Sequence, residues 1–387
     1  MIQWDTGMPA TGIMIAIIKF LTSILLPAQI AALDYSPPLW NVVIYMSSEM
    51  PNLSDDTQKY QQILAASQKN SNLHLTVLFD PIQSEENVYF TTVHRGQIVR
   101  HQELPKPVNF GDGETLWNFL TDRLAPIDHP KQKVLYPATY YAFILSGDGG
   151  SDSSNNGWMP FSGTAEYRKI HINDHSAPIS VGYDSGSNLD SLTVYELDTV
   201  LTEIASRLPH KRFDLIAFDA CFMASFEVFY QLRNISKYMV ASESLISSES
   251  FPYLMLEHFE SSPKLTAEAI VSEAFDLKNF PLTQFLAIDL DEFSNISQPL
   301  KRMIEELSIL IYSEKLKEAD LLNWRKDSLL YADKKAAESV NVDFSRWLFS
   351  VRKKAERLHQ AEVVKDIDLV LEIFKNELAG YDTSGTT

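Results

Sequence analysis

Five short runs of β-branched, aromatic and aliphatic residues recur along the chain with helical patterns between them, and this alternation constrains the fold more than any other feature. The runs are Leu39 to Ser47 (LWNVVIYMS), Leu73 to Asp80 (LHLTVLFD), Tyr140 to Leu145, Phe213 to Met223 (FDLIAFDACFM, running into a turn) and Lys237 to Ser244 (KYMVASES, with its tip). Helical patterns fall at Asp55 to Ala66, Thr115 to Ala125, Asp190 to Leu208 and over SFEVFYQLR, and Leu197, Leu201, Ile204 and Leu208 share one face of the third. Strands separated by helices predict βαβ units and a mostly parallel sheet. The stretch VYFTTVHRGQIVRHQEL reads as a hairpin turning at Arg95 and Gly96, and FLAIDL, Phe285 to Leu290, puts one more strand into an otherwise helical, charged C-terminal region.

With 387 residues, 45% of them hydrophobic and 22% charged, the chain can bury one large core or two modest ones. Its 33 Lys plus Arg stand against 51 Asp plus Glu, a formal net charge of -18. Such a surface repels a phosphate backbone, so nucleic acid is excluded as a partner and a basic peptide or cationic ligand is expected. A single cysteine, Cys221, forbids any intramolecular disulfide. Residues Ile13 to Ala32 are almost all apolar or small, with Lys19 inside the run and Pro27, Ala28, Ala31 and Ala32 at its exit. Residues 1–36 therefore read as a secretory signal, with a single-pass membrane anchor as the alternative. The expected location is secreted or periplasmic, with a membrane reached only through that segment.

In open α/β sheets, sites form outside the carboxyl ends of the strands. Three strands end there in small polar turns: ILSGDGG, IAFDAC and VASES. Cys221 stands at one tip beside a helix start, where free backbone N–H groups favour a thiolate. Asp219 precedes it by two residues and shares its strand face. It reads either as a cap for turn amides or as a receptor for a basic side chain. The segment Gly147 to Asp190 is long and polar, of the kind kept for function or mobility. It carries His171 and His175 (KIHINDH), which lie between the two site strands. Its DGGSDSSNNGW stretch is rich in oxygen donors, so Asp148 and Asp152 with neighbouring carbonyls could take a calcium ion, although the spacing matches no defined calcium loop. No other cofactor is expected.

WNVVIYM, GYDSGSNLDSLTVYEL, FDLIAFDACFMASFEVFYQL, YMVASES and FLAIDL follow one another in an order that resembles the clostripain family of cysteine peptidases, with weaker similarity through VNVDFSRWL. The resemblance implies a caspase-like α/β/α sandwich with a mostly parallel central sheet and a helical C-terminal region. Residues 37–264 would form the peptidase domain and 265–387 the mainly helical remainder of the same unit. It also implies a glycine-led strand near the end of the chain, where this sequence reads YDTSGTT, so a truncated C-terminal part is expected. By the same resemblance Cys221 is the nucleophile, Gly149 and Cys221 supply oxyanion-hole amides, and Asp219, Ser242 and Glu243 bind a substrate cleaved after Arg or Lys. Processing is expected in EYRKIH, after Arg168 or Lys169.

One position departs from the pattern. The strand tip YAFILSGDGG places Asp148 where the family has histidine followed by glycine. A carboxylate of ordinary pKa ~4 is a poor base for a thiol of pKa ~8.5 and a poor acid for an amine leaving group. The sequence thus supports two readings: an endopeptidase acting through Cys221, or a pseudopeptidase that binds basic peptides without turnover. Asp148 favours the second.

Overall fold

The computed structural model describes residues 37–47, 56–81, 87–104, 108–126, 134–151, 179–184, 187, 190–243, 246, 250–276, 285–317, 319–320 and 344–377. Eight strands form one sheet: β1 (Trp40–Ser47), β2 (Leu73–Asp80), β3 (Val88–His94), β4 (Gln97–Leu104), β5 (Tyr140–Ser146), β9 (Phe213–Asp219), β10 (Ser236–Ser242) and β11 (Phe285–Asp289). Their order is β11-β10-β9-β5-β1-β2-β3-β4. The five strands from β10 to β2 run parallel, while β3, β4 and β11 are antiparallel additions at the two sides.

Every residue of β1 is buried. A parallel strand covered on both faces has no solvent side, which is why LWNVVIYMS reads as a continuous apolar run rather than an alternating one. On one face Trp40, Val42, Ile44 and Met46 pack with Tyr60, Ile63 and Ala66 of helix α1 (Asp56–Gln68) and with the 3₁₀ turn Tyr253–His258. On the other, Val43 and Tyr45 meet Leu116 and Phe119 of α2 (Gly113–Arg123) and Leu197 and Leu201 of α3 (Val194–Arg207). Each fully buried Leu, Phe or Ile contributes about 1.5–3 kcal/mol.

The short helix α4 (Phe226–Leu232) joins β9 to β10, and α5 (Pro263–Asp276) covers the first face. The C-terminal helices α6 (Ser297–Tyr312), α7 (Phe344–Arg357) and α8 (Ala361–Glu377) join the second layer, burying Met303, Leu348 and Ile367 in the same core. The result is the α/β/α sandwich with a helical C-terminal region that the sequence predicts. Arg95 (φ 51) and Gly96 (φ 77) turn the β3–β4 hairpin at the predicted place, both in the left-handed region that a two-residue I′ turn requires.

Two expectations need correction. The polar segment after β5 is not wholly a loop: its ends form β6 (Gly149–Ser151) and β7 (Ile179–Asp184), which pair antiparallel with β8 (Asp190–Thr193) in a second sheet of order β6-β7-β8. Asp190 to Thr193 is therefore strand, and the helix read from Asp190 starts at Val194. Thr193 decides the boundary. Its backbone is extended (φ -70, ψ 152), its Oγ1 accepts from Glu196 N at 3.1 Å, and its N donates to Glu196 Oε2 at 2.9 Å, a capping box. Asp152, Arg168, Lys169, His171, His175 and the N-terminal segment 1–36 lie outside the described residues.

Candidate active site

The parallel strands deliver polar residues to one edge: Ser47 from β1, Asp80 from β2, Ser146 from β5, Asp219 from β9 and Ser242 from β10. Ser146 stands in register with Asp219, and Gly147 N donates to Asp219 O at 3.1 Å, so the tips of β5 and β9 are locked together. The close approach continues past the strands. A Cβ on Gly149 would lie 2.5 Å from the carbonyl oxygen of Cys221, a distance that only glycine allows. Asp148, one residue earlier, is thereby fixed beside the cysteine turn. Phe222, directly after the cysteine, adopts φ 56, a conformation costly for a bulky residue and one that turns the chain sharply away from the strand.

Cys221 is buried, and its Sγ receives a hydrogen bond from Ile246 N at 3.4 Å. Burial pushes the thiol up to about 11, and the carboxylates of Asp148 and Asp219 add to the rise against the relief given by the Ile246 amide. The thiolate expected from a neighbouring helix start is not favoured here. Helix α4 begins only at Phe226, capped by Ser225, whose Oγ accepts from Val228 N, and a helix dipole acts within its first turn. Asp148 also departs from its ordinary value. Burial, then the charge of Asp56, raise it to about 6 against the opposing pull of Lys59. Part of it is therefore protonated near neutrality, unlike the fully ionised carboxylate expected from a pKa ~4.

Asp219 faces the α1 side of the sheet, as Leu215 and Ala217 do, and three donors converge on its Oδ2: Lys59 Nζ at 2.9 Å, Ser146 Oγ at 2.7 Å and Tyr253 Oη at 3.0 Å. Its Oδ1 is buried without a hydrogen-bond partner. Lys59 also lies 3.5 Å from Asp56 in the first turn of α1. Burial alone would lower the lysine, but Asp219 and Asp56 outweigh it and hold the ammonium charged, with its pKa raised. Ser242 is fully buried at the end of β10, its carbonyl accepting from Ala224 N at 2.9 Å, and Glu243 follows it, half-buried.

Asp148, Gly149, Asp219, Cys221 and Ser242 thus gather at one edge of the sheet. Lys59, Ser146, Tyr253 and Ile246 belong with them and were missed by sequence reasoning. For Lys59 a signal existed: it precedes Ile63 and Ala66 at helical spacing, on the stripe that α1 buries, and a lysine there demands a carboxylate. Nothing in sequence could find the Ile246 amide. Four of the described histidines have partners elsewhere. His74 meets His94 at 3.1 Å, His101 meets Thr91 at 2.7 Å, and His210 meets Asp214 at 3.0 Å near the opposite end of β9. Among the described residues no group of three or more His, Cys, Asp or Glu is placed to hold a metal ion, and Asp152 of the calcium reading lies outside them.

A family model described as the clostripain family matches residues 45–368. Two solved structures are similar in fold. An inactive zymogen C11 protease from Parabacteroides distasonis has 16% identity and a TM-score of 0.51, the match covering 89% of this chain and 84% of that one. A secreted C11 cysteine protease from Bacteroides thetaiotaomicron, solved with an irreversible peptide inhibitor, has 18% identity and a TM-score of 0.55 over 88% of this chain and 83% of that one. No curated protein matches the chain.

Proposed function

The chain belongs to the clostripain family of cysteine peptidases, and from that premise we propose that its Cys221 cleft binds polypeptide segments carrying basic residues and hydrolyses them poorly or not at all. The observation that carries this reading is Asp148 at the β5 tip beside Cys221, in the position that the resemblance gives to histidine. Peptide hydrolysis by a thiol needs a group that takes the Sγ proton, lets sulfur attack the scissile carbonyl, and returns the proton to the departing amine. Asp148 can accept a proton, but its charge raises the thiol it would have to ionise. With the thiol pushed up to about 11, the nucleophile rests in its inactive form at neutral pH.

The preference for basic residues rests on charge. Asp56 acts on Asp148, Asp148 and Asp219 both act on Cys221 across the cleft edge, and Lys59 is the cation that opposes these carboxylates. Ser242 and Glu243 extend the same edge as further candidate binding residues, and Gly149 and Cys221 remain the candidate oxyanion-hole pair. Secretion through segment 1–36 and processing after Arg168 or Lys169 belong to the same reading; among the described residues, no helix is long and apolar enough to cross a membrane.

Hydrolysis of fluorogenic Arg and Lys peptides by the wild type, Asp148→His and Cys221→Ala tests the proposal. An imidazole at position 148 should raise turnover at least about tenfold, within the range that general acid–base catalysis supplies. Equal turnover in wild type and Asp148→His would mean that another base already serves Cys221. Self-cleavage after Arg168 or Lys169 that vanishes in Cys221→Ala would show an active peptidase.

A further inference from the structure

Lys59 belongs to no part of the peptidase reaction, yet it reaches across 160 residues of sequence to Asp219, a carboxylate read above as a receptor for a ligand's cation. Its side chain is 10% exposed and that of Asp219 1%, so the pair is shielded from water and its partners are few. We propose that Lys59 sets the ligand specificity of this cleft: its ammonium occupies Asp219, and a basic residue of a bound polypeptide gains Asp219 only by displacing it. The proposal rests on the polypeptide-binding reading above and names what that binding must compete with.

Three features of the site fit an exchangeable lysine. First, the ammonium satisfies Oδ2 alone, while Oδ1 stays buried without a partner. An incoming guanidinium can address both oxygens at once, so exchange replaces one charge-assisted bond with two. Second, Asp56 stands 3.5 Å from Lys59 Nζ, so the displaced ammonium keeps an anionic partner on its own helix. Third, Ser146 and Tyr253 donate to Oδ2 independently of Lys59 and hold the carboxylate in place while its cation changes. A lysine side chain on four rotatable carbons can make that movement without disturbing α1.

Two measurements on the full chain test this. In calorimetric titration with acetyl-Ala-Ala-Arg-amide and its citrulline counterpart, which keeps the shape of arginine without the charge, Lys59→Met should bind the Arg peptide at least about tenfold more tightly than the wild type, consistent with a charge-assisted bond worth more than 1.4 kcal/mol. The citrulline affinity should change little, and Lys59→Arg should restore the wild-type discrimination. In the unmodified protein, amine acetylation read by peptide mass spectrometry should find Lys59 protected, then exposed when the Arg peptide saturates the cleft and still protected with the citrulline peptide. Tight Arg binding that Lys59→Met leaves unchanged, or Lys59 equally protected under saturating Arg peptide, overturns the role of Lys59 and leaves the binding reading intact. Failure of every variant to bind either peptide overturns both.

Discussion

Gly149 lies so close to Cys221 that a Cβ on it would come within 2.5 Å of the cysteine carbonyl oxygen and 3.1 Å of Ala220 Cβ. The contact is with backbone, so no side-chain rotation can relieve it. It couples the β5 tip to the turn that holds the thiol, and it fixes Asp148 between two elements that cannot part without opening the site. Gly149→Ala is expected to destabilise the fold by about 1–3 kcal/mol, the usual cost of overpacking. Urea unfolding with an unchanged midpoint would show that the β5 tip is free to move.

Alkylation of Cys221 should be slow at neutral pH. The thiol is pushed up to about 11, mainly by burial, with Asp148 and Asp219 contributing, so the thiolate is scarce until strongly alkaline conditions. Asp148→Asn removes one of those charges, and the iodoacetamide rate profile should move to lower pH. A profile that stays in place would mean that Asp148 contributes nothing to the rise of the thiol.

Asp148 itself makes stability depend on pH. Its carboxyl rises from 3.8 in the unfolded chain to about 6 in the folded one. A group raised on folding adds stability that is fully present below the unfolded value and is lost as pH climbs through the folded value. Asp148 therefore weakens the fold progressively between about pH 4 and 6, by up to about 3 kcal/mol. Asp148→Asn should be more stable than wild type at pH 7.5 and lose that advantage at pH 4. Thermal melts at the two pH values measure the difference, and an advantage independent of pH would rule out the linkage.

The pair Lys59 and Asp219 should behave as a coupled unit in stability as well as in binding. Asp219→Asn leaves Lys59 with Asp56, at 3.5 Å, as its remaining ion-pair partner and should cost about 3 kcal/mol, the lower end for breaking a buried ion pair. The double variant Lys59→Met with Asp219→Asn should be less damaging than the sum of the two singles by about 1–3 kcal/mol. Additive losses in denaturant titration would contradict a direct interaction.

The fold was largely legible because its signals are local. LHLTVLFD became β2 with the predicted bounds, and FLAIDL became β11 apart from its last residue, because short apolar runs between helical segments have few alternatives. Arg95 and Gly96 turned the hairpin as read. Where a local signal was ambiguous, pairing partners overruled it: DSLT looked like the start of a helix, but β7 lay alongside to pair with it and Thr193 could cap the helix that follows. The mostly polar segment from Gly147 to Asp190 hid two strands whose partners are one another and β8 rather than the main sheet.

The sequence alone determined the alternation of strands and helices, the edge of the sheet at which polar residues collect, and the presence there of Cys221, Asp148 and Asp219. These follow from periodicity and residue type, which neighbours along the chain specify. The protonation of those groups was decided by the tertiary structure. Burial pushed the Cys221 thiol and the Asp148 carboxyl upward, and α1 brought Lys59 to Asp219. Burial and charge pairing depend on what the folded chain packs against a residue from distant parts of the sequence. An aspartate two positions before a cysteine reads the same whether it awaits a ligand's cation or already holds a lysine.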